Sequence, residues 1–165
     1  MQAFNIVLTL IALACAVWMG SKVIQHRNEI TVSGQYFSAY RIFIMVCFAA
    51  SAVTLFLGFK DIWDLLRSIS ITLMVGMFLC NREGAGENGM VYNMSLIPYE
   101  AISRYDYQRT KKVLEVYVVY REKVKDSVEE SEVIIKFKGE DEQKILSYLE
   151  SKMPKKHKRI KKTNK

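Results

Sequence analysis

Residues 3–23 read AFNIVLTLIALACAVWMGSKV, and this run decides what kind of protein the chain encodes. A helix needs about 20 apolar residues to cross a hydrocarbon core of about 30 Å. Two further runs come close to that length: IFIMVCFAASAVTLFLGF at residues 42–59 and IWDLLRSISITLMVGMFLC at residues 62–80. No comparable run follows Cys80. The expected architecture is three transmembrane α-helices in residues 1–81. A small water-facing α+β domain follows over residues 82–153, and a basic tail over residues 154–165.

Charge divides the chain in the same place. Residues 1–80 hold 5 of the 24 Lys and Arg and 3 of the 17 Asp and Glu. From Lys152 to Lys165 there are 8 basic residues and no acidic one. Without that end, residues 81–151 are net acidic, so the high pI comes from a terminal run. Such a run reads as an interaction arm or a solvated end. The segment before it, about 70 residues, is long enough for one small domain with a marginal core.

With three spans, the first loop shares a side with the C-terminal domain. That loop and its flanks carry Lys22, Arg27 and Arg41 against Glu29, whereas the other side has a nearly uncharged N-terminus and a turn around Lys60 and Asp61. Cytoplasmic flanks collect Lys and Arg. The expectation is a multi-pass protein of the cell membrane, N-terminus outside and C-terminal domain in the cytoplasm. The start lacks the positive charge of a signal peptide, so the first helix is expected to stay uncleaved. Tyr36, Phe37, Tyr40, Trp18 and Trp63 fall where an interface belt would sit.

Small residues recur every fourth position: Ala12, Ala16, Gly20; Ala50, Thr54, Gly58; Ser68, Thr72, Gly76, Cys80. That spacing puts each set on one helix face, where backbones approach closely. It predicts a three-helix bundle, or a face that pairs with a second copy of the chain. Asp64 and Arg67, three residues apart, are expected to pair with each other.

After Arg82 the apolar period shortens. Asn88-Gly89 before Met90-Val91-Tyr92 signals a tight hairpin. Leu96-Ile97, residues 102–107, residues 113–120 and the alternating Val133, Ile135 and Phe137 read as strands. Val116, Val118 and Tyr120 face one way and Tyr117 and Val119 the other, which suits a central strand. Residues 122–132 are charged and are expected to form a long hairpin loop. Gly139 closes the last strand. Ile145, Leu146, Leu149 and Met153 make the apolar face of a helix that Pro154 stops. Antiparallel strands capped by a C-terminal helix make an α+β domain.

Three segments carry a resemblance: Gly84-Ala85-Gly86-Glu87-Asn88-Gly89-Met90, Leu96-Ile97-Pro98-Tyr99-Glu100-Ala101-Ile102, and Tyr105-Asp106-Tyr107. They resemble a family of bacterial integral membrane proteins whose cytoplasmic part is a small pleckstrin-homology-like (PH-like) domain of unknown function. The family pattern is roughly Glu-Asn-Gly followed by Ile-Pro-Trp-Glu-x-Ile, and Tyr99 stands here in place of Trp. The resemblance covers residues 84–151. It implies an architecture rather than an activity, and a bacterial, Gram-positive source.

No reaction centre is legible. His26 lies in a loop and His157 in the tail, neither at metal-ligand spacing. Residues 84–89 match the letters of a dinucleotide fingerprint but neither follow a strand nor open a helix. Cys15, Cys47 and Cys80 lie in or at the ends of spans and read as packing residues. The chain is read as no enzyme, with no cofactor and no metal.

The tail residues Lys155, Lys156, Lys158, Arg159, Lys161 and Lys162 are candidate contacts for anionic lipid headgroups, each worth about 1 kcal/mol near such a surface. They lack the aromatic partners that nucleic acid would call for. The functional expectation is a membrane-anchored scaffold or regulator whose partners are membrane lipids and a protein. The alternative is a small accessory subunit of a transporter or envelope-assembly complex.

Overall fold

The computed structural model describes residues 2–35, 38–56, 59, 61–124 and 127–159. The chain divides into two compact units. One is helical and comprises residues 1–27 and 36–81; the other comprises Asn28–Gln35 and Arg82–Lys165.

The helical unit holds α1 (Gln2–Arg27), α2 (Ala39–Thr54) and α3 (Ile62–Cys80). Both α1 and α2 pack on α3. Buried positions on α1 are Thr9, Ala12, Ala16, Met19, Val23 and His26. Their alternating spacing of three and four residues marks the seam of a coiled-coil-like contact. Gly20 continues the close face against Met77, whose Cε a Cβ there would meet at 3.4 Å. On the other side of α3, a Cβ on Gly76 would meet the Phe48 ring of α2 at 3.2 Å.

The small-residue faces expected of α1 and α3 are therefore largely turned into the bundle. On α2 they are not: Ala50 and Thr54 are exposed. Gly58 lies outside the described residues. A ring filling the hollow over Gly76 takes the place of close backbone approach on that helix. Large apolar side chains on all three helices point outward, among them Phe4, Val17, Phe43, Val46, Ile62 and Leu73. Hydroxyls inside the bundle donate to their own helix: Thr9 to Asn5 O at 2.7 Å, Ser51 to Phe48 O at 2.9 Å, Ser70 to Leu66 O at 2.8 Å. By length and composition α1 and α3 are long and apolar enough to cross a membrane, whereas α2 has 16 residues.

The second unit is built from two antiparallel sheets and a helix. Strands β1 (Ile30–Ser33), β2 (Gly84–Gly86), β3 (Gly89–Tyr92) and β4 (Ser95–Pro98) form one sheet in that order. Strands β5 (Ile102–Arg109), β6 (Val113–Val124) and β7 (Ser127–Lys138) form the other, with β6 central as its two-sided pattern predicts. A 3-10 turn at Gly139–Asp141 leads into α4 (Glu142–Lys152). Ile145, Leu149 and Met153 of the α4 segment join Val32, Ala85, Met90, Ile97, Ile102, Leu114, Val116, Ile135 and Phe137 in one core.

Three features differ from the sequence expectation. The first loop is not a loop: residues 30–33 pair with β2, and Val32 enters the core. The glycines of the 84–89 segment answer to that strand. A Cβ on Gly84 would lie 2.3 Å from Val32 O, and one on Gly86 2.2 Å from Glu29 O.

The hairpin at Asn88-Gly89 forms, but among the described residues no glycine has positive φ. The left-handed two-residue turn is instead Asn93 (φ 46°) and Met94 (φ 63°), which joins Tyr92 to Ser95. Residues 122–132 are mostly strand, with Glu122 opposite Glu129 and Lys123 opposite Val128. Arg121 faces Glu130 across this ribbon, and their side chains pair at 3.8 Å. The charged run is thus strand, held by its backbone ladder, with Arg121 and Glu130 as an opposite-charge pair across it.

Candidate functional site

The end of α4 sets up the site. Met153 N–H donates to Leu149 O at 2.7 Å, and Pro154 cannot extend the helix. Lys155 adopts φ 71° and turns the chain back. Residues 156–158 then run beside β5. Tyr105 N–H donates to Lys156 O at 3.0 Å, and Lys158 N–H donates to Tyr105 O at 3.0 Å. This makes a parallel bridge between Tyr105 and His157.

Side chains hold the same segment. The Lys156 ammonium donates to Tyr99 O at 2.7 Å and Ile102 O at 2.8 Å. The His157 ring stacks on Tyr107 with centroids 5.2 Å apart and tilts against Tyr105 at 5.4 Å. Its Nε2 lies 3.7 Å from Asp106 Oδ1. That same oxygen accepts the Tyr107 N–H at 2.8 Å. The carboxylate thereby takes the donor that the next rung of the added strand, at Lys158, would need.

The tail residues named from sequence are not equivalent in the fold. Lys155, Lys158 and Arg159 are exposed. Lys156 is half-buried with its charge spent on two carbonyls. Lys161 and Lys162 lie outside the described residues. A run that sequence reads as an arm or solvated end therefore begins as a short secured strand.

Between that strand, β5 and α4 lies a groove of about 450 Å³ lined by Tyr105, Tyr107, Leu146, Glu150, Met153, Lys155 and His157. Its lining mixes the Tyr105 and Tyr107 rings, Leu146 and Met153 with the polar Glu150, Lys155 and His157. Burial, then Glu150 and Tyr107, pushes the Tyr105 phenol above its ordinary value. Tyr99, under the Lys156 latch, is pushed up further by burial and then by Tyr148. Its hydroxyl donates to Gly86 O at 2.7 Å. Sequence reading found Tyr105 and Tyr107 as a motif but not as a surface. The usable signal was their two-residue spacing, which puts both on one strand face.

A second polar cluster lies in the helical unit. Arg67 pairs with Asp64, as their spacing predicts, and also donates to Asn5 Oδ1 at 2.6 Å. A hollow of about 400 Å³ beside it is lined by Ser51, Thr54, Phe59, Asp64, Arg67, Ser68 and Ile71. The Thr54 and Ser68 hydroxyls donate to Ser51 O and Asp64 O, so the hollow is lined largely by satisfied groups.

Among the described residues no three His, Cys, Asp or Glu side chains gather as a metal site. Cys15, Cys47 and Cys80 are free thiols. Comparison with curated proteins finds no match, and comparison with solved structures finds none. Residues 81–154, which hold β2 to α4, match the model of a family described as a domain of unknown function, DUF5673.

Proposed function

We propose that this chain is a non-enzymatic membrane-anchored scaffold or regulator, in which three helices hold a PH-like domain at the cytoplasmic face for a protein or headgroup partner. The observation that carries the reading is β1. A segment between two apolar helices supplies an edge strand to the C-terminal domain, so the chain passes between the two units three times. A domain tied in this way is presented by its anchor rather than trailed on a linker.

Other features support the anchor. The apolar side chains of α1, α2 and α3 face outward, which a helix in the core of a water-soluble protein would not do. Bundle hydroxyls are satisfied by backbone carbonyls of their own helices, and Thr72 also reaches Ser51 O of α2 at 3.3 Å, as an apolar surrounding favours. The third span rests on the sequence, where the apolar run of α2 continues to Phe59. A four-stranded sheet, a three-stranded sheet and a C-terminal helix support the PH-like reading. The basic flanks support the orientation, and the exposed Lys155, Lys158 and Arg159 support contact with anionic headgroups.

The test is a pair of reporters fused after Lys165, one active only in the cytoplasm and one only outside it. Activity of the cytoplasmic reporter alone is expected. Activity of the other would overturn the orientation and with it the cytoplasmic partner. Pull-down of the intact chain in mild detergent, read by mass spectrometry, then asks whether a partner is retained.

A further inference from the structure

We infer that β1 is a releasable strap: it leaves the β2 edge when the spacing of α1 and α2 changes, and so couples the helical unit to the state of the C-terminal domain. The inference goes beyond the scaffold reading and holds whichever side of a membrane the domain faces.

Three observations converge. The first is tether length. Two residues separate Arg27, the end of α1, from Ile30, and five separate Ser33 from Ala39, the start of α2. An extended chain gains at most about 3.6 Å per residue, so the join from Arg27 to Ile30 reaches no more than about 11 Å. Joins this short pass a shift of either helix on to the strand.

The second is the grip. β1 has four residues and places one side chain, Val32, in the core. Thr31 and Ser33 are exposed, and the register with β2 is irregular between Ile30 and Val32. Gly84 and Gly86 admit β1 at close range but offer no side chains to interlock with it. Backbone bonds supply the rest, among them Gly34 N–H to Glu83 O at 2.7 Å and Glu87 N–H to Glu29 O at 3.3 Å. By contrast β6 buries Leu114, Val116, Val118 and Val119. Elements with few buried apolar groups open first, without unfolding the rest.

The third is the hinge. His26 Nδ1, in the last turn of α1, and Glu29 Oε2, just before β1, are buried with no hydrogen-bond partner among the described residues. A buried polar group left unpaired keeps its full desolvation cost. Release lets water reach Glu29, which offsets part of what Val32 loses. An order-to-disorder step in a short segment is a recurrent form of molecular switch.

The test is hydrogen exchange of the full chain in detergent micelles, read by mass spectrometry. Amides of residues 30–35 should exchange at least about tenfold faster than those of β6. Val32→Ala should speed them several-fold, and Glu29→Met should slow them several-fold. Gly76→Leu, which forces α2 from α3, should speed them about tenfold and leave β6 unchanged. Four glycines inserted after Gln35 should cancel that last effect, because a longer flexible tether takes up the shift. A thermal melt of each variant checks that the domain remains folded.

Exchange of residues 30–35 no faster than β6 in the unaltered chain overturns the inference, since β1 would then open only with the whole domain. So does Gly76→Leu if it leaves these amides unchanged, speeds every strand alike, or keeps its effect in the chain with the inserted glycines. The reporter test of orientation bears on none of these outcomes, so the two readings fail separately.

Discussion

Lys156 shows how one side chain changes meaning when its surroundings are known. In the sequence it is one of a run of cations. In the fold its ammonium closes on Tyr99 O and Ile102 O. A hydrogen bond to a charged group contributes about 1.5–3 kcal/mol. Lys156→Met is expected to lower stability by about 2 kcal/mol, while Lys155→Met, at an exposed position, stays within about 0.5 kcal/mol. Thermal unfolding of both variants in the same detergent separates them, and equal melting temperatures would rule out the latch.

Tyr99 beside it supplies a pH dependence. Burial, then Tyr148, raises its folded-state pKa above the ordinary 10.0. The fold holds the neutral phenol, so its contribution is complete below pH 10. That contribution is lost as pH rises from 10 through the higher folded value. Unfolding free energy should fall above pH 10, and Tyr99→Phe should flatten the fall. An equally steep slope in the Phe variant would assign it elsewhere.

Strand β1 carries the main prediction among the elements. It contributes Val32 to the core and covers the edge of β2. A fragment starting at Arg82 lacks it, although that fragment contains all but the first residue of the family match. The missing strand leaves the β2 edge unpaired, a template for aggregation. Residues 82–165 alone are expected to aggregate or melt well below the same fragment with residues 28–35 joined in front by a flexible linker. Static light scattering and a thermal melt decide this. If the two fragments behave alike, β1 is dispensable.

The β6–β7 ribbon shows why charge density misleads at this scale. Residues 122–132 look soluble and loop-like, yet Arg104 and Arg121 both reach Glu130 across the sheet. Exposed pairs of this kind each contribute only about 0.2–1 kcal/mol. The backbone ladder from Val113 to Lys138 is what holds the ribbon.

For the whole molecule, the packing of the helical unit separates inward from outward positions. Gly76 sits under the Phe48 ring, and Leu73 is 47% exposed. A leucine at position 76 must push α2 from α3. Gly76→Leu is expected to cost about 1–3 kcal/mol, the range for overpacking. Leu73→Ala should cost well under 1 kcal/mol, because it creates no cavity. Thermal stability in detergent tests the order, and equal values would remove the assignment of inward and outward faces. The same face rule bears on a second copy: the small residues of α1 are already used within the chain, so they are not spare for pairing.

What the sequence determined by itself was everything with a local period. The apolar runs, the amphipathic face at Ile145, Leu149 and Met153, and the two-sided strand at 113–120 are each written in neighbouring residues. Local spacing sets which side chains share a face before any partner is chosen. The tertiary structure alone decided β1, the start of the tail and the groove between that tail, β5 and α4. Ile30-Thr31-Val32 is too short to signal a strand, and its partners begin at Gly84. Lys156 finds a carbonyl 57 positions earlier in the chain. Such pairings answer to unpaired backbone edges and buried carbonyls that exist only once the sheets have formed.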